Sequence, residues 1–582
     1  MLICGIKASH DGGVAVIDDG RLLFSVEVEK LDNGHRYGFL EDLQRVSAIL
    51  AGEGLTPDAI DQFVVDGWHT TAADGGNAVP IRDGERSVEL RVAPYLEGPA
   101  DDGPLQRYTF DGYHFNGTGS YASYTHVANH ILGAYCTSPF AARGEDALAL
   151  VWDGGIVPRL YRVQAARCEV TMLSALPPVI GNSFADFSAQ FDPFRYDEDA
   201  LSPEEADRRH LSVAGKAMAY AALGTVEPDL FAVLDGIIGS FRTLSTDNAR
   251  VVGGKVASNR DQLAPGLSNA DLIATFQAYL GRRLLDRLTT VVERRFPGER
   301  PNLVLGGGCA LNIKWNTMIR ASGLFHDVYI PPFPNDAGAA IGTAACEMFR
   351  RGRLALDWDV HSGPTIATGS LPGGWRARPC DEHQVAALLH TEGEPVVVVS
   401  GRAELGPRAL GNRSILAPAT DPGMKARLND IKHRAHYRPV APICLADRAG
   451  RQPAPVPHRR RHPQMPLRSD GEPAIGVRGH HHEAGDGDDR EPGAGHPAED
   501  LQQLAATQTT AIVSGGEAVR RGSFPNLGQP RQSHPPLPCG NGPRSVGSRC
   551  DDGPYEAAGH RECPDLTVAP MPASKWHGGA SE

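Results

Sequence analysis

The sequence predicts a mixed α/β protein with a duplicated α/β unit in its first part. The prediction depends on apolar runs that flank Asp-Gly turns, because this pattern is a strong hairpin signal. Such runs occupy residues 2–8, 14–17 and 22–28, and the arrangement recurs at residues 147–152 and 156–163. Helical sequence separates the two copies, so each is interpreted as one unit of strands and helices.

Hydrophobic spacing predicts the remaining elements. Apolar residues at helical spacing predict helices over residues 40–51, 124–135, 212–222, 272–292 and 337–350. Short apolar runs predict buried strands over residues 302–305, 328–330 and 395–400. From these elements we expect a domain over residues 1–355, a linker over residues 356–378 and the start of a second α/β domain over residues 379–447.

Residues 448–582 differ in character from the rest of the chain. Pro, Gly, Arg and His dominate there, and Phe524, Tyr555 and Trp576 are its only aromatic residues. Such a segment cannot bury enough apolar area to offset the entropy lost on ordering. We expect this tail to be disordered, or to be translated from a shifted reading frame.

Composition excludes several classes of partner. The chain has 582 residues and a formal net charge of −13, so it gains nothing from the counterion release that drives nucleic-acid binding. Its ten cysteines contain no Cys-x-x-Cys pair, which argues against a zinc ribbon or a disulfide framework. No apolar stretch is long enough for a signal peptide or a membrane span. We therefore expect a cytoplasmic protein without nucleic-acid or membrane partners.

A metal site is predicted from four residues. His126 and His130 stand four apart on a predicted helix, so both side chains leave the same face. Asp153 follows a predicted strand, and Asp336 opens a predicted helix. Two imidazoles and two carboxylates suit iron, manganese or zinc with open positions for a substrate oxygen. The alternatives are an ordinary polar His pair, a turn residue at Asp153 and a helix N-cap at Asp336.

His10 and Asp11 lie in the first glycine-containing turn, where a ligand can approach the backbone. A histidine there could act as a general base on a hydroxyl, since its pKa lies near working pH. The alternative is a surface histidine. Further along, Gly307 and Gly308 follow a buried strand in a nucleotide-type loop.

Other residues near that loop, and a basic segment, complete the candidate site. Asn312 and Asn316, with Gly338 and Gly342, could frame an adenosine, or the glycines could serve close packing. A basic block in an otherwise acidic chain indicates a phosphorylated substrate, because guanidinium groups bind phosphate in a bidentate manner. Its cationic side chains are Arg402, Arg408, Arg413, Lys432, Arg434 and Arg438.

In their order along the chain, these motifs resemble the Nod-factor, cephem and aminoglycoside O-carbamoyltransferases. The resemblance runs from residue 1 to about residue 447. It depends on Gly5-Ile-Lys-Ala-Ser-His-Asp-Gly with Glu27, His126-x-x-x-His130, Val151-Trp-Asp-Gly, Gly215-Lys-Ala-Met, Gly306-Gly-Gly-Cys-Ala-Leu-Asn, Pro334-Asn-Asp-Ala-Gly and Gly406-Pro-Arg-Ala-Leu-Gly. The opening is most similar to enzymes that act on cephem or nucleoside-type antibiotics.

The resemblance implies a Kae1-like domain of the actin/Hsp70/sugar-kinase type, followed by a partial YrdC-like domain. In the family, carbamoyl phosphate and ATP, with Mg²⁺, give carbamoyl adenylate in the second domain. A hydroxyl of a small-molecule acceptor then attacks the carbamoyl carbon in the first domain. A homodimer is also compatible with the resemblance.

The resemblance also implies residue roles. His126, His130, Asp153 and Asp336 become ligands of Fe²⁺ or another divalent metal, and His10 becomes the base. Contacts to the adenylate fall on Asp11, His35, Arg36, Gly307, Gly308, Asn312 and Asn316. The basic block becomes part of the carbamoyl-phosphate and ATP site.

Motifs that relatives carry after the Arg-Pro-x-Ala-Pro segment are absent here beyond Asp447. We therefore expect an incomplete second domain and impaired adenylate formation. Two alternatives remain open: a sugar-kinase-like phosphotransferase, and an inactive nucleotide-binding scaffold.

Overall fold

A computed structural model gives the fold of the chain. It describes residues 1–32, 37–70, 75–98, 103–111, 115, 119–197, 200–365, 381–443, 511–514 and 567–570. His35 and Arg36 lie outside the described residues, as does nearly all of the segment 448–582. The expected disorder or frame shift of that segment therefore stays a prediction.

The first unit is a six-stranded sheet in the order β3-β2-β1-β4-β8-β7. Its first three strands form an antiparallel meander, while β1 pairs in parallel with β4 and β4 with β8. The elements of this unit are β1 (Leu2–Lys7), β2 (Gly13–Asp18), β3 (Arg21–Glu27), α1 (Glu29–Asp32), α2 (Gln44–Gly52), β4 (Gln62–Asp66), β5 (Ala78–Asp83), β6 (Arg86–Arg91), β7 (Tyr108–Asp111), β8 (Ser120–Tyr124) and α3 (His126–Cys136).

The second unit repeats this topology in a five-stranded sheet, β11-β10-β9-β12-β13. Again three strands form an antiparallel meander, and β9 pairs in parallel with β12 and β12 with β13. The predicted duplication is confirmed. Its elements are α4 (Pro139–Ala142), β9 (Ala147–Val151), β10 (Arg159–Gln164), β11 (Glu169–Ala175), α5 (Ser183–Ser188), α6 (Pro203–Ala221), α7 (Leu230–Ile238), α8 (Thr246–Ser258), α9 (Arg260–Leu263), α10 (Asn269–Arg295), β12 (Leu303–Gly306), α11 (Ile313–Ala321), β13 (Val328–Tyr329) and α12 (Ala339–Arg350).

Two buried helices lie between the sheets and join the units. α12 packs on β1 and β2 of the first unit, α3 packs on β9 and β12 of the second, and the two helices pack on each other. Their approach is close, because a Cβ added at Gly342 would lie 2.1 Å from the backbone oxygen of Asn129. Gly342 thus serves helix packing, which was the alternative to an adenosine contact.

A third sheet has the order β16-β17-β15-β14-β18 and follows the duplicated units. Apolar residues of α13, β14 and β15 form its core, including Val385, Leu389, Val396 and Leu416. The elements are α13 (Glu382–Glu392), β14 (Val396–Val399), β15 (Arg413–Pro418), α14 (Met424–Ile431), β16 (Ala441–Pro442), β17 (Ala511–Ser514) and β18 (Thr567–Pro570). The last two strands belong to the segment for which disorder was expected.

Capping residues account for the differences between predicted and observed helix starts. The predicted helix 40–51 begins at Gln44, where the N-cap residue Leu43 makes no side-chain cap bond but Asp42 accepts a 2.9 Å hydrogen bond from the Gln44 amide. The predicted helix 212–222 begins at Pro203, where Ser202 and Glu205 form a capping box. Polar residues outside the apolar pattern thus decide where these helices begin.

Candidate active site

Helix α3 presents His126 and His130 on one face, as their spacing predicts. Thr125 caps the helix by accepting a 3.3 Å hydrogen bond from the Ala128 amide, which fixes its first turn. All 11 residues of the helix are buried. The Nε2 atoms of the two histidines lie 3.1 Å apart.

Asp153 and Asp336 bring carboxylates to the same point. Asp153 follows β9, and Asp336 opens the 3-10 turn Asp336–Gly338 that leads into α12. No side-chain cap bond is made at the start of that turn or of α12, so the helix-cap alternative for Asp336 is not supported. One donor atom from each of the four residues, His126, His130, Asp153 and Asp336, lies within 4.8 Å of the others.

The spacing of these atoms fits a cation. His126 Nε2 lies 3.4 Å from Asp336 Oδ1 and 3.7 Å from Asp153 Oδ2. The corresponding distances from His130 Nε2 are 3.5 and 3.9 Å. A tetrahedral ion with bonds of about 2.1 Å holds its ligand atoms about 3.4 Å apart. The four side chains therefore fit a divalent metal with little movement.

The electrostatics of the cluster favour ligation. Burial opposes ionisation of Asp336, but Lys7, His126 and His10 outweigh it and hold the pKa of Asp336 well below its ordinary value. Burial and Asp336 oppose ionisation of Asp153, yet the two histidines lower the pKa of Asp153. Both carboxylates are thus charged at neutral pH, the form that binds a metal.

Asp66 and Asn129 orient His126, and neither residue was predicted from the sequence. Asp66 Oδ2 lies 2.8 Å from His126 Nδ1, and Asp66 Oδ1 accepts a hydrogen bond from the side-chain Nδ2 of Asn129. A carboxylate on Nδ1 places the proton there and leaves Nε2 free to bind a metal. Asp66 is the last residue of β4, at the carboxyl end of an apolar run.

Lys7 was also missed. Its side chain is fully buried, and its Nζ lies 2.9 Å from both Asp66 Oδ2 and Asp336 Oδ2. The same Nζ lies 4.1 Å from the centre of the Trp68 ring, within reach of a cation–π interaction. The available signal was a charged residue inside an otherwise apolar strand.

An aromatic wall covers one side of the cluster. The Tyr95 ring stacks on His126 with centroids 4.5 Å apart, and its hydroxyl donates a 2.8 Å hydrogen bond to Asp153 Oδ2. Trp68 meets His126 edge-on at 5.5 Å. Such a wall lowers the local dielectric and so strengthens interactions between charges within the site.

His10 lies at the mouth of the cluster. Its Nε2 is 3.6 Å from Asp336 Oδ2, and its Nδ1 is 2.9 Å from Asp11 Oδ2. The side chain is 24% exposed, so solvent or a substrate can reach it. Burial disfavours its charged form, but Asp336 and Asp11 outweigh this effect and raise the pKa of His10. The surface-histidine alternative is not supported by these contacts.

The glycine loop supports Asp153. The Gly308 amide donates a 2.6 Å hydrogen bond to Asp153 Oδ1. Gly307 has φ +87°, and a Cβ there would lie 2.4 Å from the backbone oxygen of Trp152. Only glycine fits this position without moving the strand end that carries Asp153.

We expect Gly307→Ala to lower the free energy of unfolding by about 1–3 kcal/mol, since it combines backbone strain with a clash. Gly298→Ala is the matched control, because Gly298 has φ +76° but nothing within 4 Å of an added Cβ. Denaturant unfolding of both variants measures the difference. Equal losses of unfolding free energy in the two variants would mean that the clash with Trp152 does not destabilise the Gly307 variant.

Asn312 and Asn316 hold the backbone in the described structure. Asn312 caps α11 by accepting from the Lys314 amide at 3.2 Å, and it accepts a further bond from Gln277 at 2.9 Å. Asn316 donates to the Ala310 oxygen at 2.8 Å. These contacts give both side chains a structural role, and their expected contact with adenosine stays a prediction.

The basic block is folded against neighbouring elements, so the alternative of a solvated basic face is not supported. Arg402 donates to Glu53 at 2.8 Å and to Thr365 at 3.0 Å. Arg434 donates to the Pro439 oxygen at 2.9 Å. Lys432 is buried, whereas Arg408 is exposed. The described contacts do not gather the six cations into one cluster, and their joint role stays a prediction.

A buried polar contact connects the basic block to the first unit. Glu27 Oε1 accepts hydrogen bonds from Lys30 Nζ at 2.5 Å and from the Gly406 amide at 2.9 Å. Lys30 also donates to the Glu404 backbone oxygen. Glu404 in turn accepts a 2.8 Å bond from the Arg413 amide. The end of β3 thereby fixes the position of the Gly406-Pro-Arg-Ala-Leu-Gly segment.

Comparison with known proteins decides the family. The carbamoyltransferase N-terminus model matches residues 2–102 and 116–346, and the carbamoyltransferase C-terminus model matches residues 386–474. The chain belongs to the carbamoyltransferase family. The match extends to residue 474, beyond the expected limit near residue 447.

Named relatives agree with this assignment of the carbamoyltransferase. Nodulation protein U of Sinorhizobium fredii is 43% identical over 465 residues, which cover 77% of this chain and 81% of the relative. The 3'-hydroxymethylcephem-O-carbamoyltransferase of Streptomyces clavuligerus is 32% identical over 468 residues, covering 78% and 80%. The resemblance inferred from the motifs is confirmed.

Among solved structures, an activator of 2-hydroxyisocaproyl-CoA dehydratase from Clostridium difficile superposes with a TM-score of 0.34 at 15% identity, covering 61% of this chain and 96% of that one. Within the part of the chain that the structure describes, no helix is both long and apolar enough to cross a bilayer.

Proposed function

We propose that this carbamoyltransferase moves the carbamoyl group of carbamoyl phosphate, through an ATP-derived carbamoyl adenylate, to a hydroxyl of a small-molecule secondary metabolite. The observation that carries the proposal is the convergence of His126, His130, Asp153 and Asp336 beside His10. Fe²⁺ is the proposed metal, and the cytoplasm is the proposed location. The metal follows from the family resemblance, and the location follows from the lack of a long apolar run in the sequence.

The residues around the cluster support acyl transfer to a hydroxyl. When bound, a divalent cation supplies positive charge for the carbamoyl oxygen that becomes negative during attack. His10 accepts the proton of the attacking hydroxyl at Nε2, because its Nδ1 faces Asp11. The new C–O bond forms to the acceptor as the bond from the carbamoyl carbon to AMP breaks.

Names of relatives give a class of acceptor. The Streptomyces clavuligerus relative is named as an O-carbamoyltransferase of a 3'-hydroxymethylcephem. We propose a comparable hydroxyl-bearing metabolite here, with antibiotic biosynthesis as the setting. The test incubates the chain with ATP, Mg²⁺, carbamoyl phosphate and a panel of hydroxyl compounds, with mass spectrometry of the products.

Product mass separates the proposed reaction from the kinase alternative. Carbamoylation adds one carbamoyl group and depends on carbamoyl phosphate. A phosphotransferase instead adds one phosphoryl group and uses ATP alone. A phosphorylated product formed without carbamoyl phosphate would refute the proposal.

Pyrophosphate release tests whether the C-terminal part can form the adenylate. Because motifs expected beyond Asp447 are absent, we expect weak release that depends on both ATP and carbamoyl phosphate. A coupled pyrophosphate assay measures it without any acceptor. Rapid release would show that the second domain is complete enough to work.

Arg408→Ala is expected to raise KM for carbamoyl phosphate about 10-fold or more, since a charge-assisted bond to phosphate contributes about 1.5–3 kcal/mol. KM for the acceptor should stay within about 2-fold. Steady-state kinetics with each substrate varied gives both values. Arg300→Ala is a control from the second unit, where Arg300 bonds only the Gly323 oxygen among the described contacts. Equal changes for both substrates would mean that the block has another role.

A further inference from the structure

Lys7 stands out among the charged side chains that contact the four candidate ligands. It ends β1, has no exposed surface, and places Nζ 2.9 Å from both Asp66 and Asp336. A buried ammonium is costly unless it is paired. Of its two partners, one orients His126 and the other is itself a candidate ligand.

The two oxygens of Asp336 face different groups. Oδ1 points at the histidines, 3.4 Å from His126 Nε2 and 3.5 Å from His130 Nε2. Oδ2 lies on the Lys7 side, 2.9 Å from Nζ. With Oδ2 in an ion pair with Lys7, Oδ1 is the oxygen that faces the two histidines. Lys7 therefore acts against two-oxygen binding by this carboxylate.

The charges of the buried side chains around the site set the charge of the ion that fits there. The buried carboxylates in direct contact with this cluster are Asp66, Asp153 and Asp336, which carry three negative charges when ionised. Lys7 supplies one positive charge, and His10 and Asp11, counted as an ion pair, add no net charge. Two negative charges therefore remain for the bound ion. Uncompensated charge in a buried site is strongly disfavoured. A divalent cation balances the site, and a trivalent one leaves an excess positive charge.

We propose that Lys7 is the built-in counter-ion of the metal centre, holding Asp336 as a one-oxygen ligand and setting the site's charge for a divalent rather than a trivalent ion. This inference rests on the proposed metal site. Lys7 is a positioning residue in this inference, because its described contacts are with Asp66, Asp336, His126 and the Trp68 ring.

Asp66 offers an opposite substitution to that of Lys7, because its negative charge lies next to the positive charge of Lys7. Lys7→Met removes one positive charge and Asp66→Asn one negative charge at sites whose interacting atoms lie 2.9 Å apart. If the site charge matters, the two substitutions change the relative stability of bound Fe³⁺ and Fe²⁺ in opposite directions. The double variant restores the balance.

The experiment uses full-length protein loaded with ferrous iron and measures the midpoint potential of the Fe³⁺/Fe²⁺ couple by spectroscopic redox titration. We expect Lys7→Met to shift the potential downward, because Fe³⁺ is then favoured. Asp66→Asn should shift it upward, and the double variant should return close to wild type. Shifts of the same sign, or none, would overturn the inference.

Controls distinguish failure of the Lys7 inference from failure of the proposed metal site. Glu347→Gln neutralises another buried carboxylate on α12, which bonds Tyr124, Arg107 and Arg351 and should leave the potential unchanged. If wild type binds no iron, the proposed metal site fails. If single variants do not fold, the charge-balanced double variant decides: it should bind iron with near wild-type potential, and a large shift there contradicts the proposal.

Discussion

Replacement of His126 by alanine is expected to abolish bound metal and carbamoyl transfer together. Loss of a group that only orients a ligand costs about 10–100-fold in metal affinity, so loss of the ligand itself should cost more than about 100-fold. His126 contributes one of the four converging donor atoms. Metal analysis of the purified variant, with equilibrium dialysis against Zn²⁺, measures the loss.

The fold should survive this substitution, because α3 remains packed between the two sheets. Circular dichroism checks this point, and added metal should raise the Tm of wild type but not of the variant. His326→Ala is the matched control, since His326 is exposed and lies outside the cluster. Unchanged metal content in the His126 variant would remove the proposed centre.

His10→Asn is expected to reduce transfer about 10²–10⁴-fold while metal content stays at the wild-type level. The side chain approaches Asp336 from the open side and is not among the four donors. Loss of the base therefore slows proton removal from the acceptor hydroxyl without emptying the site. Single-turnover transfer from carbamoyl adenylate, with metal analysis of the same sample, measures both quantities.

His69→Asn is the control for this second substitution. His69 contacts the rings of Trp68 and Tyr95 near the site but makes no described contact with Asp336. Its replacement should change transfer by less than about 10-fold, below the range for a general base. If both variants lose activity equally, or if the His10 variant loses metal, His10 is not the base.

Patterns of neighbouring residues in the sequence predicted much of the fold. The elements that they missed depend on contacts between residues far apart in the sequence. The Asp-Gly hairpins and the 126–136 helix depend on neighbouring residues, so they could be predicted from spacing. β11 (Glu169–Ala175) was not predicted, since its outer position leaves six of its seven residues exposed or intermediate.

The candidate site was only partly predictable for the same reason. Spacing alone places His126 and His130 together, but Asp153 and Asp336 join them through sheet pairing and helix packing that no short motif encodes. Lys7 was missed because a charge in a strand is normally interpreted as solvent-facing. Here α12 covers β1, and the parallel register that pairs Ile6 with Val65 sets Lys7 beside Asp66.

The repeated turn after the first strand of each unit has a mechanical consequence. Asp11-Gly12-Gly13 follows β1, and Asp153-Gly154-Gly155 follows β9, yet one copy partners His10 while the other faces the histidine pair. A cation bound at the four-residue cluster would connect both copies of the duplicated unit. It would contact Asp153 of the second copy directly, and it would reach Lys7 of the first copy through Asp336. Removal of the metal by a chelator should then weaken the contact between the two copies. Faster hydrogen exchange in β1 and β9 together would show this weakening.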